Sequence, residues 1–174
     1  MLPLPRSLAS ALRGALRAAL VLLLPLVLWS QSAAAITAPE LRGQRSLQDL
    51  QPDMHGRNLQ QQEFLKTNLE GFNFSQSDLR GAVFNTANLQ GADLRGADLE
   101  DAVAFASRFD NADLSDAVLR NAMLMNSKFT GATITGADFT DAVLDLPQQK
   151  ALCSRASGTN ARTGVVTRDS LNCR

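Results

Sequence analysis

Few side chains in this sequence of 174 residues could do chemistry. His55 is the only histidine, and a serine or cysteine nucleophile needs a base of this kind to activate it. His55 stands in the segment PDMHG, where a surface or capping position is the expected role. The sequence has no glycine-rich phosphate loop followed by lysine, no paired-cysteine zinc motif and no glycine–aspartate calcium repeat. We therefore predict a protein that is not an enzyme and that uses no cofactor or metal.

Two pairs of carboxylates resemble couples for general acid–base catalysis. Glu100 and Asp101 are adjacent, and Asp113 lies close to Asp116. All four fall at outward positions of the repeat described below, where charged residues keep a surface soluble. A solvated surface is the favoured interpretation of both pairs.

The two cysteines, Cys153 and Cys173, lie near the C-terminus. In an oxidising compartment they would form one disulfide, which stabilises a fold by about 3 kcal/mol through the loop entropy of the unfolded chain. Two free thiols are the alternative. A metal site needs more ligands than two cysteines and the distant His55. We expect the disulfide.

The first 35 residues have the pattern of a secretory leader. Three arginines in residues 1–17 precede the apolar run 18–29 and the small-residue ending SQSAAA, so residues 1–35 are predicted to be a signal peptide cut after Ala35. The alternative is a membrane anchor, but the run is short for a bilayer and Pro25 interrupts it. We expect export to the thylakoid lumen or the periplasm, and no membrane insertion after the leader is removed.

Charge excludes one class of partner. The chain has 17 basic and 17 acidic residues, and without the three leader arginines 14 basic residues face 17 acidic ones, a net charge of about −3. A basic surface that binds nucleic acid is therefore not expected.

A repeat of five residues runs from 57 to 146 without a slip. It forms 18 blocks, and the third residue is Leu, Phe or Ile in 17 of them; Ala104 is the exception. The first residue of a block is mostly Ala, Ser or Thr. Blocks such as ANLQG, ADLRG and ADFTD show the pattern plainly.

A period of five fits neither an α-helix nor a flat strand. It fits a chain that turns a corner after every block, so that four blocks make a square coil of 20 residues. Successive coils then stack at the strand spacing of about 4.8 Å. The large third residue points inwards from the middle of a side, the small first residue points inwards near a corner, and glycine in the fifth place serves the corner.

These blocks resemble the pentapeptide-repeat family, whose pattern is A-(D/N)-L-x-x. The resemblance implies an all-β solenoid, a right-handed quadrilateral β-helix, of about 4.5 coils by the block count. The leader, the repeats and the C-terminal cysteine pair more narrowly resemble exported pentapeptide-repeat proteins of cyanobacteria and plastids.

The ends of such a coil need covers, because they expose unpaired strand edges. Residues 36–56 are the predicted N-terminal cap, where Thr37-Ala38-Pro39-Glu40 has the spacing of a capping box. Residues 147–174 are the predicted C-terminal cap. It comprises a helix led by Pro147, a loop, a last helical turn and the disulfide.

One side of the predicted coil is apolar outside as well as inside. Seven of its ten outward residues form a candidate partner face, namely Leu65, Val83, Val103, Phe105, Met123, Met125 and Val143. One interpretation is that residues 147–174 or 36–56 fold over this face. The other is that it docks another protein or a second copy.

The sequence therefore predicts an exported structural or protein-interaction module with an unknown protein partner, and weak association between copies is a further expectation. The alternative function is that of a nucleic-acid mimic, since some members of the resembled family bind DNA gyrase and inhibit or protect it. That role requires a cytoplasmic location and a strongly acidic surface, neither of which this sequence favours.

Overall fold

The architecture follows the period of five residues. The computed structural model describes residues 51–174. Residues at every fifth position from Asp53 to Val143 form parallel bridges to residues 20 positions away, as in Val103↔Met123. Each residue therefore stacks on its counterpart one coil away, and the chain is a quadrilateral β-helix with four sides of five residues.

Each side is short, and each corner is a turn of two residues. Within residues 51–174 the coil contains isolated bridges and no longer strand. The fifth residue of a block has left-handed backbone, whether it is glycine, as at Gly81 (φ 65°), or another residue, as at Asn121 (φ 57°). The prediction that glycines in the fifth place serve the corners is confirmed.

The core is a stack of the third and first residues of the blocks. The third residues from Phe64 to Phe139 are buried, and so are the alanines that begin most blocks. Phe109 and Phe129, which are 20 residues apart, stack with their ring centroids 5.0 Å apart. That separation matches the spacing of neighbouring strands, so one coil rises by about 4.8 Å.

The bridged coil begins one block before residue 57. Met54 is buried at the third position of the block 52–56, and Gly56 takes the corner with φ 63°. Pro52 fits in the first place because the N–H of a first residue bonds to the preceding block, which the first coil does not need. The predicted leader, residues 1–35, and residues 36–50 of the predicted N-terminal cap lie outside the described residues.

Two helices follow the coil. Helix α1 is Leu146–Cys153, with Pro147 in its first turn, and helix α2 is Thr167–Ser170. Between them, Thr159 and Val166 form an antiparallel bridge. In the part of the chain that the structure describes, no helix is both long and apolar enough to cross a membrane.

The residues after the coil satisfy the backbone donors of its last turn. An inner coil donates each such N–H to a carbonyl 19 positions further on, as Leu79 does to Asp98 at 2.7 Å. The last coil has no following coil, so side chains and one carbonyl of the C-terminal region accept instead, from Phe129 N to Gln148 Oε1, Gly136 N to Ser157 O, and Phe139 N to Ser170 Oγ. Residues 146–174 therefore close the open edge.

Candidate protein-contact face

The seven residues of the predicted partner face lie on one side of the coil. The bridges Val83↔Val103, Val103↔Met123 and Met123↔Val143 hold four of them in one row. Leu65, Phe105 and Met125 lie on the turns that leave this side. We call these seven residues the apolar stripe.

The stripe is exposed where its side chains are largest. Met123 is 51% exposed, Phe105 47% and Met125 42%. Leu65 and Val143 are exposed as well, whereas Val83 and Val103 are half-buried. Exposed apolar residues arranged in one contiguous patch commonly mark a contact with another molecule.

Leu146 extends the stripe at its C-terminal end, and the sequence analysis did not include it. It is the fifth residue of the last block and the first residue of α1, and it is 60% exposed. The signal was present in the repeat register, which puts residue 146 on the corner that follows Val143.

The C-terminal region lies elsewhere, so the interpretation that residues 147–174 fold over the stripe is wrong. Asn160 Nδ2 donates to the carbonyls of Asp116 (3.1 Å) and Gly136 (2.8 Å). Arg162 donates to the carbonyl of Gly96 at 2.7 Å and pairs with Asp98 at 3.1 Å. The segment 157–166, which we call the strap, therefore runs back across three coils along the corner before the neighbouring side.

The physical reason is hydrogen bonding rather than apolar burial. The carbonyls at the corner before that side accept from the amide of Asn160, which is buried. The stripe offers no such polar partners. The other half of that interpretation, a cover formed by residues 36–56, stays a prediction because residues 36–50 lie outside the described residues.

The buried Asp138 lies on the side next to the strap. Burial alone would raise the pKa of its carboxyl group. Hydrogen bonds from the Thr140 hydroxyl and backbone N–H, together with the charge of Arg120, instead hold the pKa of Asp138 below its usual value.

Ion pairs on the exposed turns fix charges away from the stripe. The guanidinium of Arg80 lies 2.7 Å from Asp78, and this hydrogen-bonded pair lowers the pKa of Asp78. Arg95 lowers the pKa of Asp93 in the same way. These pairs are largely solvated, so they contribute more to solubility than to stability.

The predicted disulfide is present between Cys153 and Cys173, whose Cα atoms are 5.5 Å apart. Cys153 is the last residue of α1, and Cys173 follows α2. The bond therefore joins the two helices of the C-terminal region and restrains residues 146–174 against the end of the coil.

The residues that could do chemistry do not converge on one site. His55 Nδ1 lies 2.8 Å from Ser75 Oγ on the first coils, and His55 is exposed. Asp101 and Asp116 are exposed corner residues. Among residues 51–174, no group of three or more histidine, cysteine or acidic side chains is placed to hold a metal ion.

Comparison with known proteins gives one family. The model of the family described as pentapeptide repeats matches residues 63–102 and 107–144, in 8 copies. These ranges cover most of the bridged coil and the whole row of bridges in the stripe.

Solved structures of similar chains come from plastids and cyanobacteria. A pentapeptide-repeat protein of the Arabidopsis thaliana thylakoid lumen is 40% identical, and the match covers 69% of this chain and 90% of that one, with a TM-score of 0.39. A pentapeptide-repeat protein of the cyanobacterium Cyanothece is 23% identical over 53% of this chain and 64% of that one, with a TM-score of 0.52. The second likeness shows the fold.

A curated relative is much longer than the matched segment. Thylakoid lumenal protein TL20.3 of Arabidopsis thaliana is 64% identical over 36 residues, which are 21% of this chain and 13% of the relative. The match therefore spans a small part of that protein.

Proposed function

Because the chain belongs to the pentapeptide-repeat family, we propose that it is an exported, non-enzymatic interaction module of the thylakoid lumen that binds another protein chain through the apolar stripe. The exposed stripe is the observation that carries this proposal. Large apolar side chains lie together on one side of a rigid coil, where 51% of Met123 remains accessible.

Two features support the location. Both Arabidopsis relatives are thylakoid lumenal proteins by name, and one of them is matched over 90% of its length. The leader predicted for residues 1–35 and the disulfide Cys153–Cys173 fit an oxidising compartment reached by export.

A binding role fits the construction of the coil. Its sides are held by backbone bridges and closely packed third residues, so an exposed side chain has a fixed place. A rigid surface loses little conformational entropy when a partner binds it.

The test is cross-linking of a tagged chain in intact thylakoids. The wild type is compared with a chain that carries Phe105→Ser and Met125→Ser, and with a matched control that carries Thr130→Ser and Thr133→Ser. We expect the wild type and the control to form one defined cross-linked product in the lumenal fraction. The stripe variant should lose it, with an unchanged melting temperature.

Three results would contradict the proposal. The first is retention of the tagged chain outside the lumen, as the nucleic-acid mimic requires. The second is a product that survives in the stripe variant. The third is a lower melting temperature with easier proteolysis of residues 36–50, which would identify these residues as the cover of the stripe.

A further inference from the structure

A row of alternating charges lies beside the apolar stripe, on the turns that lead into it. Arg80, Glu100 and Arg120 take equivalent places 20 residues apart. Arg80 and Arg120 are exposed, and Glu100 is half-buried. Since neighbouring coils are about 4.8 Å apart, positive, negative and positive charges follow one another along the coil axis.

Two of these charges have no partner in the chain. Within residues 51–174, neither Glu100 nor Arg120 has an ion-pair partner within 4.0 Å. Arg80, in contrast, is paired with Asp78. A molecule that covers the stripe can therefore pair with Glu100 and Arg120 if it brings opposite charges at matching heights.

We infer that the occupant of the apolar stripe is a second copy of this chain, packed antiparallel so that Glu100 of each copy lies beside Arg120 of the other. This inference rests on the proposed function, because it names the partner of the same face. The contact is isologous, since the same surface is used by both copies.

The charges select this arrangement from the other ways of stacking two such sides. A twofold axis in the interface and perpendicular to the coil axis keeps the charged row of one copy over that of the other and reverses its order. With the axis midway between the coils of Glu100 and Arg120, opposite charges meet twice. Centred on the coil of Glu100, the axis would place like charges together.

A parallel arrangement is less favourable. It would set the charged row of one copy over the far edge of the other, where Arg120 would meet Lys128 at the same height. The antiparallel arrangement does bring Arg108 towards Lys128 at that far edge. However, Arg108 is already paired with Asp110 at 3.1 Å, which reduces this repulsion.

The same register brings the apolar residues together. Val103 of one copy lies over Met123 of the other, and Phe105 lies over Met125. Methionine adapts to irregular neighbours and makes favourable contacts with aromatic rings. The apolar contact supplies most of the affinity, and the charged row sets orientation and register.

A charge swap tests the inference. Sedimentation equilibrium is measured on the purified chain, produced with its own leader, and on Glu100→Arg, Arg120→Glu and the double variant. We expect each single variant to raise the dimer dissociation constant about tenfold or more, because like charges then meet. The double variant restores opposite pairs and should return to within about threefold of the wild type. Arg95→Glu, on a turn away from the stripe, is the matched control and should leave the constant unchanged.

Only pairing of these two residues across a symmetric contact produces loss in both single variants and recovery in the double. A chain that stays monomeric, a dimer indifferent to the swap, or a double variant as weak as the single ones would overturn the inference. If the chain is monomeric but the stripe variant still loses its lumenal cross-link, the second-copy inference fails and the proposed function stands. If dimerisation follows the swap while the chain is absent from the lumen, the reverse holds.

Discussion

Single residues at the corners decide where the chain can turn. The fifth residue of a block has φ near +60° throughout the coil, a conformation that β-branched residues rarely adopt. Thr86 adopts it nonetheless, with φ 57°, and its hydroxyl donates to the carbonyl of Asn85 at 2.7 Å. The packing of the adjacent coils holds Thr86 in this strained state.

Thr86→Gly should therefore stabilise the protein. Removing the β-branched side chain relieves strain of about 1 kcal/mol, which exceeds the loss of an exposed hydrogen bond. Thr130→Gly is the matched control, because Thr130 is exposed and its φ is not positive; it should lower the free energy of unfolding by about 0.5–1 kcal/mol. Urea unfolding measures both, and a destabilised Thr86→Gly would show that the hydroxyl matters more than the backbone.

Asp138 should make stability depend on acid pH. Its carboxyl pKa is lower in the folded state than in the unfolded chain, so the folded state favours the charged form. This contribution is present above the unfolded value of about 3.9 and is lost as the pH falls through the folded value.

Asp138→Asn should remove that loss. Urea midpoints measured from neutral pH down to acid pH should fall less steeply in the variant than in the wild type. Asp141→Asn, at an exposed corner of the same block, provides the comparison. Parallel curves for the wild type and Asp138→Asn would show that Asp138 contributes nothing to the acid sensitivity.

At the scale of elements, the coil was predictable and the path of the C-terminal region was not. The period of five residues determines which residues face inwards, so the buried third and first residues could be read directly. The strap depends on one amide, Asn160, that meets carbonyls from two earlier coils. No periodic pattern marks such a contact, because it joins residues 24 and 44 positions apart.

The candidate face shows the same division. Its seven residues were predictable because register alone places them on one side. Their exposure depends on where the C-terminal region lies, so the sequence left two interpretations open. Leu146 was missed because the predicted C-terminal cap began at residue 147, just past the last block.

The disulfide should stabilise the C-terminal region and not the coil. Cys153→Ser with Cys173→Ser should lower the free energy of unfolding by about 2–4 kcal/mol if the region unfolds together with the coil. Hydrogen exchange locates the effect. The Phe139 amide, which donates to Ser170, should exchange faster, and the Phe109 amide, which donates to Lys128 at 2.7 Å, should not.

Equal acceleration at Phe109 and Phe139 would contradict this assignment, because it would mean that the disulfide restrains the whole coil. Cys153→Ser alone is a poor substitute, since it leaves a free thiol that can pair with another chain.

At the scale of the whole molecule, fold and contact face come from one register. The row of bridges that holds the coil together also aligns Val83, Val103, Met123 and Val143 on one side. A slip of one residue would move every later third residue out of the core and break up the stripe together. The account therefore requires a register of 20 residues per coil and tolerates changes only in whole coils.

Two deletions test this requirement most directly. Removing residues 72–91 takes out one coil, joins Gly71 to Ala92 and leaves the contacts of the strap in place. Removing Arg95 alone shifts the register of everything after it. Urea unfolding followed by circular dichroism should show one cooperative transition for the coil deletion and none for the single deletion. A cooperative, protease-resistant Arg95 deletion, or an unfolded coil deletion, would contradict the account.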